Sequence, residues 1–238
     1  MNSQLDIQME RDLVASQTIS DEIIIRDFQK FKQKLRACQE SGTAHLQIIA
    51  DYDLTLTKYS TNNIRGCSTY QLLQSSVLKG EHAEYISSLY NHYHPLEINP
   101  EISPETKKEL MHEWWEKSNK ALLEENFSQS DFSSFINSST LHFRHGIHEL
   151  ISNLNNKNIP LTIVSGGIGN LIETSLNMIG ESLKNLQIFS NFIVFNELGK
   201  PSHFAQPDVR ADKSNVLAGQ IVKKNLILLG DLPSVLFI

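Results

Sequence analysis

The sequence predicts an α/β fold with a parallel sheet, because short apolar runs alternate along the chain with segments of helical periodicity. Largely apolar runs are typical of strands buried on both faces of a parallel sheet, and three occur here: Leu46–Ala50, Leu161–Val164 and Leu226–Leu229. No strong strand signal occurs between about Thr57 and Ile159. The sheet is therefore expected to carry a long helical insertion after its first strand.

An amphipathic helix is predicted before the first strand, from about Ser20 to Glu40. Ser20 is a candidate N-cap, and acidic residues follow it in the first turn. Apolar residues recur at helical spacing, at Ile24, Phe28, Phe31 and Leu35. The pair Ser41-Gly42 is the expected stop, so this helix should end close to the first strand.

The insertion has mainly helical patterning, in the segments Ser68–Pro104 and Pro104–Phe135. The clearest helix is predicted over Glu105–Glu125, with Ser103 as its N-cap and Pro104 in its first turn. Helices inserted at this point of an α/β sheet can close over a site at the strand ends. We therefore expect a helical cap domain.

The second half of the chain alternates helices and strands. A helix is predicted over Phe143–Asn155, followed by a turn at Asn156–Pro160. The next helix follows the second apolar run and ends at Gly180, and short strands are expected at Ile188–Phe189 and Phe192–Phe195. Right-handed connections would bring the carboxyl ends of the parallel strands to one side.

Asp51 and Asp53 follow the first strand directly, separated by one residue. Side chains at i and i+2 of a strand point to the same side, so both carboxylates can reach one ligand. Two carboxylates so close repel each other unless a cation neutralises them. Mg²⁺ suits this role because it binds carboxylate and phosphate oxygens together.

Two further polar stretches fall at strand ends. Ser165-Gly166-Gly167 offers a hydroxyl and unhindered backbone N–H groups before a helix, which is typical of a phosphate site. Gly230-Asp231 follows the last apolar run. Ligands of open α/β sheets bind at the carboxyl ends of strands, so Asp51, Ser165 and Asp231 are expected to meet there with Asp53.

These stretches resemble the motifs of the haloacid dehalogenase (HAD) phosphatase superfamily, whose first motif is Asp-x-Asp-x-Thr/Val. The resemblance implies a Rossmann-like core, with Asp51 as the nucleophile that takes the phosphoryl group and Asp53 as the general acid and base. It also implies that Ser165 and Gly166 bind phosphate. Motif three requires a lysine, for which Lys213 is the first candidate and Lys200 the second.

The same resemblance implies a Mg²⁺ site made of Asp51 through its side chain, Asp53 through its backbone carbonyl, and Asp231. Within the superfamily, the chain looks like the cytosolic 5′-nucleotidase III family over about residues 45–234. The stretches that carry this resemblance are Asp51–Thr57, Leu96–Pro100, Glu113–Ser118, Ile163–Gly169 and Leu228–Asp231.

That family implies roles for the cap. Glu97 would hydrogen-bond the base, Trp114 or Trp115 would stack on it, and Ser118 would lie near the phosphate. One of the two tryptophans is expected to pack in the cap core, because adjacent helical residues face different ways. The expected activity is Mg²⁺-dependent hydrolysis of a nucleoside 5′-monophosphate, either a pyrimidine nucleotide such as CMP or UMP, or 7-methyl-GMP.

The sequence departs from the family at motif four, where Val235 stands in place of a second Asp and the chain stops at Ile238. Residues 1–57 are expected to form the N-terminal helix and first core strand, residues 58–140 the cap, and residues 141–238 a core that lacks the family's C-terminal part. The alternatives are therefore a truncated, weakly active or inactive nucleotide-binding isoform, or a phosphatase of another small phosphomonoester such as phosphoserine.

Composition limits the partners and the cellular compartment that are expected for the chain. The chain has 238 residues, a net charge of −6 and no long basic tract, which disfavours a nucleic acid polymer as partner. Two cysteines give no disulfide framework, and no apolar run approaches a membrane span or a secretory signal. A cytoplasmic monomer without membrane attachment is expected.

Overall fold

The computed structural model describes residues 25–180, 184–206, 209 and 213–230. The chain divides into two compact units, Met1–Gly42 and Thr43–Ile238. In the first unit, helix α1 spans Phe28–Ser41. Gly42 ends it with a positive φ of 73°, as the sequence predicted.

The predicted start of this helix was wrong in the described part of the chain. Residues 25–27 are not helical, and Asp27 is the N-cap because its Oδ1 accepts a hydrogen bond of 2.9 Å from the N–H of Lys30. The predicted cap Ser20 lies outside the described residues. Periodicity alone did not distinguish the cap from the helix that follows it.

The second unit is organised around a four-stranded parallel sheet with the strand order β5-β4-β1-β8. Its strands are β1 (Leu46–Ala50), β4 (Leu161–Ile168), β5 (Leu186–Asn191) and β8 (Asn225–Leu229). The central strand β1 pairs with β4 on one side and β8 on the other, so all three predicted apolar runs lie side by side. The predicted α/β fold with a parallel sheet is confirmed.

Strand β4 is longer than the sequence predicted, because it continues through Ser165 and the two glycines to Ile168. The register against β5 shifts between Val164 and Ile168. Two side chains of β5 hold the glycine carbonyls in place: Asn191 donates to Gly166 and Ser190 to Gly167, each at 2.9 Å. These bonds continue the attachment of β4 to β5 beyond the regular ladder.

Helices surround this sheet and fill the insertion. They are α2 (Thr69–Val77), α3 (Gly80–Ile98), α4 (Pro104–Leu123), α5 (Phe132–Asn137), α6 (Ile147–Asn156), α7 (Gly169–Asn177) and α8 (Lys213–Gly219). Helix α4 begins as predicted, because Ser103 Oγ accepts from the N–H of Thr106 at 3.2 Å and Pro104 is in the first turn. Among the helices of the described residues, none is both long and apolar enough to cross a membrane.

Short antiparallel pairs were not predicted. Strands β2 (Ser60–Thr61) and β3 (Ile64–Arg65) form a small hairpin whose turn residues, Asn62 and Asn63, have positive φ. Strand β6 (Ile193–Phe195) matches the predicted short strand Phe192–Phe195, but its antiparallel pairing with β7 (Pro201–Phe204) was not predicted. Segments of two to four residues are too short to show a clear alternation, although asparagine tolerates the positive φ that such a turn needs.

Helix α6 starts at Ile147 and not at the predicted Phe143. Phe143 instead forms an isolated antiparallel bridge with Thr57, and Gly146 precedes the helix with a φ of 85°. The predicted start was wrong because this bridge holds Phe143 in an extended backbone, which a helical pattern in the sequence does not reveal.

The principal core joins the sheet to the helices of the insertion. Ile163 of β4, Leu73 of α2, Leu122 of α4, Phe132 of α5 and Leu176 of α7 are fully buried in one cluster. Helices α3 and α4 also share a smaller apolar cluster of their own. The insertion is thus attached to the core at its base while α3 and α4 pack against each other.

We expect Ile163→Ala to lower the free energy of unfolding by about 2–5 kcal/mol, because it leaves a cavity beneath the central sheet. Ile163 is 0% exposed and pairs in the sheet with Ala50 and Ile188. Ile64→Ala is the matched control, since Ile64 is 60% exposed, and it should change stability by about 0.5 kcal/mol or less. Urea unfolding measures both; equal losses would contradict this account of the core.

Candidate active site

Asp51 lies at the carboxyl end of the central strand and is nearly buried. Its backbone N–H donates to the carbonyl of Leu229 in β8 at 2.9 Å, which continues the parallel ladder. Its Oδ1 accepts from the N–H of Tyr52 at 2.8 Å, and its Oδ2 lies 3.1 Å from Nζ of Lys213. The lysine at the start of α8 therefore neutralises this carboxylate.

Lys213 was the first of two lysine candidates, and the geometry supports that order. Lys200, the second candidate, is exposed in the turn between β6 and β7, where its carbonyl accepts from the N–H of Asn196 at 2.9 Å. Lys213 borders the same cavity as Asp51, so it is placed to contact a group that Asp51 binds.

Asp53 is held by Thr69, at the start of helix α2. The N–H of Thr69 donates to Asp53 Oδ1 at 2.9 Å, and its hydroxyl donates to Oδ2 at 3.0 Å. Burial, and to a lesser extent the nearby charge of Asp51, raise the pKa of Asp53 to about 7 against the opposing effect of the Thr69 hydrogen bonds and of Lys213. Asp53 can therefore hold or release a proton near neutral pH.

The segment between these aspartates and β2 is a tight loop. The carbonyl of Tyr52 accepts from the N–H of Thr57 at 3.2 Å, and Leu54 adopts a left-handed backbone with a φ of 61°. Arg144 fixes this loop from outside, because its Nε donates to the carbonyl of Thr55 and its Nη2 to the carbonyl of Leu54, both at 2.8 Å. The loop is therefore held in place both by its own backbone hydrogen bonds and by Arg144.

The backbone N–H groups near Ser165 are less open than predicted. The N–H of Gly167 donates to Ser165 Oγ at 3.1 Å, and the N–H of Ile168 donates to Thr69 Oγ1 at 2.9 Å. A Cβ added at Gly167 would lie 2.1 Å from Thr69 Oγ1 and 2.7 Å from Asp53 Oδ2. Glycine is required here because β4, Thr69 and Asp53 approach one another so closely.

Helices α3 and α4 contribute the other side of the site. The ring of Trp114 stacks on that of Tyr93, with centroids 5.8 Å apart and planes 11° from parallel. Tyr90 meets Trp114 edge-on at 6.0 Å. The carboxylate of Glu97 lies 3.2 Å from Nδ1 of His94. Aromatic rings and a carboxylate therefore face the sheet from the insertion.

A cavity of about 420 Å³ lies between the strand ends and these helices. Every predicted site residue within the described part of the chain borders it: Asp51, Asp53, Glu97, Trp114, Trp115, Ser118, Ser165, Gly166 and Lys213. Both tryptophans line it, and both also pack against the apolar cluster shared by α3 and α4, where one of them was expected. The remaining predicted residue, Asp231, lies outside the described residues, as does Val235.

Gly167, part of the predicted phosphate-binding stretch, also lines the cavity, whereas six lining residues were not predicted: Leu54, Ser68, Tyr70, Gln71, Gln74 and Tyr90. Most belong to helix α2 or its cap, where Ser68 and Gln71 form a capping box. The capping pattern Ser-x-x-Gln was the available signal, because it fixes the helix start and places Gln71 and Gln74 on one face. The hydrogen bond from Tyr70 to Asn119 joins α2 to α4 and had no local signal.

Asp53 makes the stability of the folded chain depend on pH in a defined direction. Its pKa is about 7 when folded against an ordinary value of 3.8, so the folded chain holds this proton more tightly than the unfolded chain. Its contribution to stability is therefore present below about pH 4 and is lost as the pH rises through about 7.

We expect Asp53→Asn to reduce the fall in melting temperature between about pH 5 and pH 8, because the variant cannot titrate at this position. Calorimetry in EDTA measures the fall without metal binding. Glu101→Gln, at an exposed carboxyl outside the cavity, is the matched control. A variant whose melting temperature falls as steeply as that of the wild type would contradict the assignment.

Comparison with known proteins gives a consistent result. The family model described as pyrimidine 5′-nucleotidase (UMPH-1) matches residues 54–233. The 7-methylguanosine phosphate-specific 5′-nucleotidase of Gallus gallus is 29% identical over 206 residues, which is 83% of this chain and 71% of that protein. The corresponding enzyme B of Xenopus laevis is 31% identical over 180 residues, 75% of this chain and 62% of that protein.

A solved structure of cytosolic 5′-nucleotidase IIIB bound to cytidine has a TM-score of 0.67 and 27% identity, covering 78% of this chain and 62% of that chain. The chain thus spans between 62% and 71% of the length of these three relatives. The family match covers well over half of the chain and confirms the resemblance drawn from the motifs. The chain belongs to the pyrimidine 5′-nucleotidase family.

Proposed function

We propose that this chain is a metal-dependent 5′-nucleotidase that transfers the phosphoryl group of a nucleoside 5′-monophosphate to Asp51 and then to water. The observation that carries the proposal is the convergence of both motif-one aspartates, Lys213, Ser165 and the insertion's aromatic residues on one cavity. A cavity of about 420 Å³ is within the range of small-molecule sites.

Asp51 is suited to act as the nucleophile. The ammonium group of Lys213, 3.1 Å from Oδ2, favours the ionised carboxylate that attack on phosphorus requires. The same ammonium would offset charge on the phosphoryl oxygens during transfer. Ser165 and Gly166 border the cavity beside these groups and would bind the phosphate oxygens.

Asp53 is suited to act as the general acid and then the general base. With a pKa of about 7, both of its protonation states are populated near neutral pH. In the first step it would protonate the leaving 5′ oxygen of the nucleoside. In the second it would take a proton from the water that attacks the phosphorylated Asp51.

The described residues supply part of the ligand set that a hard divalent cation such as Mg²⁺ needs. Asp51 would supply a carboxylate oxygen, and the family resemblance assigns the backbone carbonyl of Asp53 as a second ligand. Within the described residues no cluster of three acidic, histidine or cysteine side chains could hold a metal, and the proposed third ligand, Asp231, lies beyond them. Such a cation would neutralise charge on the transferring phosphoryl group.

The insertion supplies the groups that would hold the base. Glu97 would accept hydrogen bonds from an exocyclic amine, Trp114 or Trp115 would stack on the ring, and Ser118 would lie near the phosphate. The relatives' names include a cytidine complex and 7-methylguanosine phosphate-specific enzymes. We therefore propose a pyrimidine or 7-methylguanosine 5′-monophosphate as substrate.

The remaining features of the proposal rest on the same family. Residues 58–140 would act as the cap and the flanking segments as the core, in a cytosolic monomer; a Caenorhabditis elegans relative is named a putative cytosolic 5′-nucleotidase 3. The inactive-isoform alternative and the phosphoserine alternative are not favoured by relatives that are named as nucleotidases.

We expect Asp51→Asn to reduce phosphate release by at least about 1,000-fold, because an amide cannot form the acyl phosphate. Phosphate release from CMP and 7-methyl-GMP, with Mg²⁺ and with EDTA, measures this. The variant should retain a cooperative melt. Equal turnover by the variant and the wild type would refute Asp51 as nucleophile, and no turnover of either nucleotide by folded wild type would refute the nucleotidase.

We expect Glu97→Gln to raise KM for the preferred nucleotide by about 10-fold with little change in kcat, because a charged hydrogen-bond acceptor for the base is lost. Glu101→Gln is the matched control, since Glu101 is exposed and does not border the cavity. A similar KM in both variants would show that Glu97 does not bind the base.

A further inference from the structure

We propose that Thr69 is a positioning residue for the reaction, and that its hydroxyl orients the carboxyl of Asp53 toward the substrate. This inference rests on the proposed function, in which Asp53 exchanges a proton with the leaving oxygen and with water. Thr69 joins the insertion to the core beside the carboxyl of Asp53. Thr69 itself does not line the cavity.

Three hydrogen bonds define the contact. The N–H of Thr69 donates to Asp53 Oδ1 at 2.9 Å, its hydroxyl lies 3.0 Å from Oδ2, and the N–H of Ile168 lies 2.9 Å from the same hydroxyl oxygen. Thr69 is fully buried, so water does not compete for these positions. Thr69 thus links the start of α2, the end of β4 and the loop after β1.

The direction of the hydroxyl proton follows from its partners. A backbone N–H can only donate, so Thr69 Oγ1 must accept from Ile168. The hydroxyl's own proton is then available for Asp53 Oδ2, which lies within hydrogen-bond distance. The bond from Ile168 therefore sets the polarity of the bond that reaches Asp53.

The hydrogen bonds from Thr69 limit the positions at which Asp53 can carry a proton. Thr69 occupies one lone pair on each carboxylate oxygen, because its N–H takes Oδ1 and its hydroxyl takes Oδ2. A transferable proton must occupy a lone pair that Thr69 leaves open, and the carboxyl borders the cavity. Fixing one edge of the carboxyl in this way prevents rotation and directs its other edge to the reactants.

The packing around the contact allows little adjustment. A Cβ at Gly167 would lie only 2.1 Å from Thr69 Oγ1, so the hydroxyl is enclosed by β4 as well as by Asp53. Thr69 is also the first residue of α2, next to the cap Ser68, whose hydroxyl accepts from the N–H of Gln71 at 3.1 Å. The capping box fixes the start of α2, and the start of α2 fixes the position of Thr69.

Thr69→Val removes the hydroxyl and keeps the shape of the side chain, whereas Thr69→Ser keeps the hydroxyl. With CMP or 7-methyl-GMP as the substrate, we expect Thr69→Val to lower kcat by roughly 10- to 100-fold, within the usual contribution of acid–base catalysis, and to leave KM within about 2-fold. Thr69→Ser should retain kcat within about 3-fold of the wild type. Thr174→Val is the control, because that hydroxyl donates to the carbonyl of Asn170 within α7, away from Asp53.

A valine variant with wild-type kcat would overturn the proposal, and so would a serine variant that loses as much activity as valine. If Thr69→Val does not fold, Gly167→Ala provides a second variant, which displaces the Thr69 hydroxyl and the Asp53 carboxyl from each other's present positions without removing either group, with Gly219→Ala as control because a Cβ there meets open space. Retention of wild-type kcat by Gly167→Ala would also overturn the proposal. No turnover by the wild-type chain would instead refute the proposed function, and this role for Thr69 with it.

Discussion

Two carboxylates held close together at the end of β1 are the constraint on which the rest of the site depends. Asp51 and Asp53 repel each other when both are ionised, and the chain stabilises them in different ways. Lys213 pairs with Asp51 at 3.1 Å and favours its charged form, whereas burial favours the neutral form of Asp53. Asp51 is thereby suited to attack on phosphorus, and Asp53 is suited to proton transfer.

This division requires groups that are distant in the sequence, and the sheet brings them together. Strand β8 pairs with β1. Helix α8, which comes just before β8 in the chain, places Lys213 beside Asp51. Strand β4 ends at Ser165 to Ile168, where its backbone binds Thr69. The insertion then completes the cavity with Glu97 and the tryptophans. The same strands and helices therefore position the residues that bind the substrate and the residues that react with it.

The sequence predicted the features that have local signals. The strand β1, the capped start of α4 and the stop at Gly42 were found because apolar runs, Ser-Pro and glycine act within a few residues. The β2–β3 hairpin was missed because strands of two residues show no clear alternation, and the extended backbone at Phe143 was missed because it depends on pairing with the distant Thr57. The motif residues of the site were found by resemblance. The role of Thr69 was not, because its contact with Asp53 spans 16 residues and arises only when α2 meets β4.

The central claim is that Asp51 carries the phosphoryl group during turnover, and chemical trapping tests it most directly. The chain is mixed with a nucleoside 5′-monophosphate labelled in its phosphate, quenched in acid during turnover, and mapped by peptide mass spectrometry with and without hydroxylamine. The account predicts a hydroxylamine-sensitive acyl phosphate on the peptide that contains Asp51, absent when nucleotide is omitted. Turnover without any label on the chain, or with the label on another residue, would contradict it.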